Sequence, residues 1–226
     1  MFIHSRIRHA FLLIIVFEAL PHFAHSAVIN GDFSTGDFTG WTIFTDPNGT
    51  ANGDPNSGGN PEVVLFDVSG GGSTLAAQFR VGQTEGTPIN QGAGLFQSIE
   101  TVPGELILSV DIALESFDNN AQGGLFELSL NGSVVDSIDI QTVTVGQIVR
   151  DSLTATVSVG AGSQELRMSA RRRFGAGSDS TPAQYFDNVI ASGSAIAIPE
   201  PSSAIALAVL AAWFTASRRR LVGRRG

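Results

Sequence analysis

The chain has 226 residues, 42% hydrophobic and 15% charged, with a formal net charge of −8. That is apolar enough to bury a core, and it speaks against a disordered chain. With no Cys, a disulfide scaffold, a thiolate zinc site and a thiol nucleophile are excluded. All 13 basic residues are Arg, and the four His (His4, His9, His22, His25) fall in the first 25 positions. Between Ala27 and Ile198 there are six Arg against 19 Asp and Glu, a net charge of −13. An acidic middle between basic ends argues against nucleic acid as a partner, because phosphate binding needs a basic patch.

In chain order, the first element reads as a secretory leader over residues 1–26. Arg6, Arg8 and His9 precede the apolar run Ala10 to Phe17, and Ala24-His25-Ser26 supplies small residues for signal peptidase. Cleavage is expected after Ser26.

From 27 to 198 the pattern is short alternating runs separated by Gly, Asn, Asp and Pro. Leu75, Ala77, Phe79 and Val81 predict a strand with Gln78 and Arg80 outward. Leu106, Leu108, Val110, Ile112 and Leu114 predict another. Phe126, Leu128 and Leu130 run into Asn131-Gly132, and a strand follows over Val134 to Ile140. Asn-Gly between two strands signals a type I′ hairpin. Leu153 to Val159, Leu166 to Ala170 and Gln184 to Ala191 follow as the clearest of the remaining runs. Eight to ten strands at this spacing predict an antiparallel β-sandwich.

The last 28 residues, 199–226, combine Pro199-Glu200-Pro201, an apolar run from Ala204 to Ala216, and the basic cluster Arg218, Arg219, Arg220, Arg224 and Arg225. An apolar helix followed by positive charge is a stop-transfer arrangement. At about 14–16 residues it is short for a bilayer core of about 30 Å. These three parts in this order resemble the PEP-CTERM sorting signal. The resemblance implies an exported protein of a Gram-negative bacterium, held transiently in the inner membrane by this helix. It also implies recognition by an exosortase near the Pro-Glu-Pro triplet, and association with exopolysaccharide or biofilm.

A second resemblance concerns the middle. Asn30-Gly31-Asp32-Phe33 with Gly36-Asp37-Phe38-Thr39-Gly40-Trp41 is similar to the opening of galactose-binding-like jelly rolls, among them carbohydrate-binding modules. Tyr185-Phe186-Asp187-Asn188-Val189 is similar to their closing strand. This implies a jelly-roll β-sandwich over 27–198. It also implies a structural calcium joining the first strand region to the last, with Asp32 and Asp187 as ligands. Acidic side chains and carbonyls are the hard oxygen donors that calcium takes.

Once the leader is removed, no His, Cys or Lys remains, so catalysis through Ser-His, Cys-His or a Schiff base is excluded. Carboxylates and Tyr185 are the acid–base groups left, and two carboxylates suffice for a glycosidase. No motif names such a pair, and solvated strand faces account for most of them. The glycine-rich stretch Asp46 to Pro61 reads as a surface loop, with a second cation at Asp46 and Asp54 as the alternative. Trp41 is expected in the core, whereas Phe44, Phe117 and Phe174 lie near strand ends where a sugar ring could stack. Arg171-Arg172-Arg173 reads either as a contact for an anionic polysaccharide or, preferentially, as cations paired with neighbouring acids. The leading expectation is a non-catalytic exported matrix protein associated with exopolysaccharide. The alternative is a lectin-like carbohydrate-binding module, and the third reading is a secreted glycoside or polysaccharide hydrolase.

Overall fold

Apolar–polar alternation becomes strand pairing along most of the middle region. The computed structural model describes residues 27–52, 60–84, 89–119, 121–173 and 181–196. The expected leader, the expected sorting residues Pro199, Glu200, Pro201, Arg218, Arg219 and Arg220, and the expected site residues Asp54 and Phe174 lie outside them. Among the described residues there are twelve strands and no helix long and apolar enough to cross a membrane. The strands are β1 (Thr42–Thr45), β2 (Gly49–Thr50), β3 (Glu62–Phe66), β4 (Thr74–Phe79), β5 (Gly82–Gln83) and β6 (Gln91–Thr101). They continue as β7 (Gly104–Glu115), β8 (Ala121–Leu130), β9 (Ser133–Val143), β10 (Ile148–Val159), β11 (Gly162–Arg172) and β12 (Ala183–Ser192).

Two five-stranded antiparallel sheets form, in the orders β1-β6-β11-β8-β9 and β10-β7-β12-β4-β3, and β2 pairs with β5. The chain passes between the sheets at β6 to β7, β7 to β8, β9 to β10, β10 to β11 and β11 to β12. That double Greek-key winding is a jelly roll. The inward residues are those the alternation selects. Leu106, Leu108, Val110, Ile112 and Leu114 of β7 face Phe126, Leu128, Leu166, Met168 and Leu95 of the other sheet in one core. Each such side chain contributes about 1.5–3 kcal/mol by leaving water.

The hairpin at Asn131-Gly132 joins β8 to β9 with φ of +50° and +77°, the backbone a type I′ turn requires. Asn131 is further fixed by its side chain, which donates to Gln164 and accepts from the Glu165 amide.

One difference from the alternation stands on the outer face of the second sheet. Ala76, Ala113, Ala183, Tyr185 and Val68 are buried there in a separate apolar cluster. Phe66 stacks on the Tyr185 ring, centroids 3.7 Å apart. The outer residues of central strands are thus partly apolar, because β3 and the turn after it pack over them.

Candidate functional site

The outer face of the first sheet holds a dense group of polar and aromatic side chains. Register sets its composition. Gly94 of β6 lies between Phe44 of β1 and Ser169 of β11, and Phe96 stands opposite Arg167. Across β11, Ser169 pairs with Glu127 of β8. Arg171 is the centre: its Nε lies 3.0 Å and its Nη2 3.4 Å from the two oxygens of Asp46, and its Nη1 donates to Glu127 Oε2. Asp46 Oδ2 also accepts from the Gly92 amide at 3.0 Å. These charge-assisted bonds hold a planar fork of donors rigid on the sheet.

Beside that clamp, the Arg167 guanidinium lies 4.2 Å from the Phe44 ring centre and 5.5 Å from that of Phe96. Its Nη2 is 3.0 Å from Glu165, and its Nε is buried without a hydrogen-bond partner. The strip has a glycine floor. A Cβ at Gly94 would meet Met168 O at 2.0 Å and Phe44 at 2.9 Å, and one at Gly92 would meet Ala170 O at 2.0 Å. Flat apolar rings, a guanidinium plane and fixed carboxylates side by side are what a sugar ring needs, with its C–H face and its ring of hydroxyls. Both Asp46 oxygens and Glu127 Oε2 meet one arginine, so these carboxylates are arranged to hold charge and geometry. Glu127, Phe96 and Arg167 carry no local sequence signal; only the pairing of β6, β8 and β11 gathers them.

The opening and closing motifs meet at the second candidate region. The Trp41 indole donates to Asn30 O at 3.0 Å, and Gln97 binds the Ile29 amide, Ile29 O and Gly40 O. The Val189 amide donates to Gly31 O at 2.8 Å, which seats the opening turn on β12. Asp32 accepts from the Ser34 amide, and that bond holds its carboxyl below the usual range. Asp187 is 1% exposed. Its oxygens accept from Thr74 Oγ1 at 2.6 Å and the Asn188 amide at 2.7 Å. Burial pushes its carboxyl up against the pull of Thr74 and Asn188, and the charges of Asp111 and Asp32 push the same way.

Asp111 escaped the sequence reading. The register places it directly opposite Asp187, and Asn188 Nδ2 donates to it at 2.9 Å. It also lines a shallow cavity of about 200 Å³ with Val68, Ser69, Arg150, Asp151 and Ser152. Asp187 is engaged by Thr74 and the Asn188 amide, and among the described residues no three Asp, Glu or His side chains gather where they could hold a metal ion by themselves.

The other expected residues separate. Trp41 is core, as its setting predicts. Phe117 lies under the Arg80 guanidinium at 4.8 Å, away from Phe44. Asp46 serves Arg171. Tyr185 is buried, its hydroxyl pushed up to about 12 by desolvation, which removes it from acid–base chemistry near neutral pH.

No family model and no curated protein matches this chain. Solved structures do. One is a carbohydrate-binding module of family 61 in complex with β-1,4-galactotriose: 14% identity, TM-score 0.43, covering 76% of this chain and 100% of that one. Another is the Clostridium thermocellum xylanase fragment with a family 22 carbohydrate-binding module and xylohexaose, at 17% identity and TM-score 0.40, covering 74% and 28%. A third is a Stig cyclase from Fischerella sp. TAU with an indole ligand, at 14% identity and TM-score 0.41, covering 75% and 97%. Likeness at this level bears on no residue of the site.

Proposed function

We propose that the protein is a non-catalytic glycan-binding module whose ligand lies across the outer face of the first sheet. The observation that carries the reading is Arg171 clamped between Asp46 and Glu127 over the Gly92–Gly94 floor, beside the Phe44–Arg167–Phe96 stack. A preformed polar clamp loses little entropy on binding, and the adjoining rings supply the stacking surface. The test is a glycan array followed by calorimetry on the best ligand. One saturable glycan is expected, with Phe44→Ala weakening it about tenfold, the loss of about 1.4 kcal/mol of contact. Uniform weak binding to every polysaccharide would reject the reading in favour of a matrix component. Release of sugar from any of them would reject the non-catalytic half.

The broader role is a proposal on the sequence of the termini. The chain is exported by signal peptidase processing after Ser26, anchored transiently in the inner membrane by its C-terminal helix, and handed to an exosortase at Pro199-Glu200-Pro201. It then resides at the surface or in the matrix of a Gram-negative bacterium with exopolysaccharide as partner. The second reading, a matrix protein without one specific glycan, draws on that same tail. The structural calcium implied by the opening and closing motifs, with Asp32 and Asp187 as ligands, is likewise a proposal: where it is held, a chelator is expected to lower the melting temperature.

A further inference from the structure

The cavity of about 200 Å³ opens on the outer face of the second sheet, on the opposite side of the sandwich from the Arg171 clamp. Ser69, Asp111, Arg150 and Ser152 are among its lining residues. Register builds its floor. Ser152 of β10 stands opposite Asp111 of β7, and Asp111 stands opposite Asp187 of β12. Val110 and Ile112, on either side of Asp111, are core, so alternation turns Asp111 outward. Side chains directly opposite on paired strands start about 4.5–5.5 Å apart, so one small group can touch both Asp111 and Ser152.

Arg150 fixes the rim. Its Nε donates to Asp67 O at 2.8 Å and its Nη2 to Asp67 Oδ2 at 3.3 Å. Asp67 Oδ1 accepts from the Gly70 and Gly72 amides, so the turn after β3 is strapped to β10. Other polar groups here are uncommitted. Asn188 Nδ2 donates to Asp111 Oδ2 at 2.9 Å, whereas Asp111 Oδ1 accepts from none of the described residues and is not sealed from solvent. Ser152 is exposed, and Arg150 Nη1 donates to none of the described residues.

Charge is uncommitted as well. Arg150 is paired with Asp67, while Asp111 and Asp187 have no cationic partner among the described residues. The charge of Asp111 adds to burial in pushing the Asp187 carboxyl up. A floor of this sign attracts a cation and repels an anion. A bare metal ion would find one free carboxylate oxygen in the cavity. Drug-sized ligands need about 300–1,000 Å³, so the occupant is no larger than a single ring.

We propose that this cavity takes a protonated amino sugar, one hexosamine unit. The ammonium donates to Asp111 Oδ1 and Ser152 Oγ, and a ring hydroxyl accepts from Arg150 Nη1. A neutral sugar brings the hydroxyls without the charge, and a small alkylammonium brings the charge without a group for Arg150. The site goes beyond the glycan reading of the first sheet and does not depend on it.

The test titrates the full chain with glucosamine hydrochloride, N-acetylglucosamine and glucose, at constant ionic strength and at a pH where the amine is charged. It is read by calorimetry and by the side-chain amide resonance of Asn188, which reports on Asp111. Glucosamine is expected to bind saturably and shift that resonance, with both neutral sugars weaker by about tenfold or more. Asp111→Asn keeps an acceptor for Asn188 and removes the charge, and is expected to weaken glucosamine by about tenfold or more. Phe44→Ala and Arg171→Ala are expected to leave it within about twofold, which separates this site from the first sheet. An unmoved Asn188 resonance, equal binding of glucose, or full affinity in Asp111→Asn overturns the proposal. Displacement of glucosamine by calcium chloride at matched ionic strength overturns it in favour of a metal site. If Asp111→Asn does not fold, the exposed Ser152→Ala decides: a loss of about threefold is expected, and an unchanged affinity overturns the proposal.

Discussion

Asp187 shows how a single carboxylate can belong to the fold yet oppose it. Its folded pKa lies above the ordinary 3.8, chiefly because it is buried. Between those two values the folded chain binds more protons than the unfolded one, so stability from this group rises as pH falls. The cost is complete once the pH exceeds the folded value. Asp187→Asn is neutral at every pH and can serve both neighbours, accepting from the Asn188 amide and donating to Thr74 Oγ1. The variant is therefore expected to melt at or above the wild-type temperature at pH 7, with the advantage vanishing toward pH 4. Thermal melts across that range check it. If calcium holds the junction instead, the variant melts lower at pH 7, and a chelator lowers the wild type to match.

At the scale of the element, the β8–β9 hairpin isolates a backbone effect. Gly132 sits at φ +77° with nothing within 4 Å of where a Cβ would go. A side chain there has space but the wrong backbone region, which costs about 1–2 kcal/mol. Gly132→Val is expected to destabilise by about that amount, or somewhat more because of its β-branch, without altering the urea dependence of unfolding. Chemical denaturation measures both. Gly94 is the opposite case, since its Cβ would collide with Met168 O on the neighbouring strand. One glycine supports a turn, and the other lets β1 and its Phe44 lie close over β6. The sequence marks the first through its Asn-Gly pair and leaves the second indistinguishable from any other glycine in a strand.

At the scale of the molecule, the opening and closing motifs interlock. Ala27 donates to Ala191 O, Val189 to Gly31 O, and Val102 to Ala195 O. The two ends of the domain are thus tied to each other and to the start of β7, and residues 1–26 and 199–226, the proposed leader and sorting signal, fall outside this stretch of sequence. Processing at both termini is expected to leave this unit intact. The intact mass of the protein recovered from its host is expected to correspond to a chain beginning at Ala27 and truncated near Pro199, with or without an attached group. A mass retaining residues 199–226 rejects exosortase processing. The pairing of distant segments also makes folding slow, since loop closure is paid before the sheets reward it.

The sequence by itself did not mark β1, β3 or the central β6, but it determined β4 and β7 to β12, the inward set on β7, β8 and β11, the Asn131-Gly132 turn, the core position of Trp41 and the residue types left for chemistry. These are local properties: a period of two residues, a turn dipeptide, a composition. Only the tertiary structure decided which carboxylates meet which arginines. Asp46 and Arg171 are separated by 125 positions, and Asp111 and Asn188 by 77. At the end of β11, Arg171 meets Asp46 and Glu127, Arg172 turns inward to the Gln122 and Val81 carbonyls, and Arg173, just past the strand, meets Asn90, because alternation assigns the face but the register of the neighbouring strands assigns the partner.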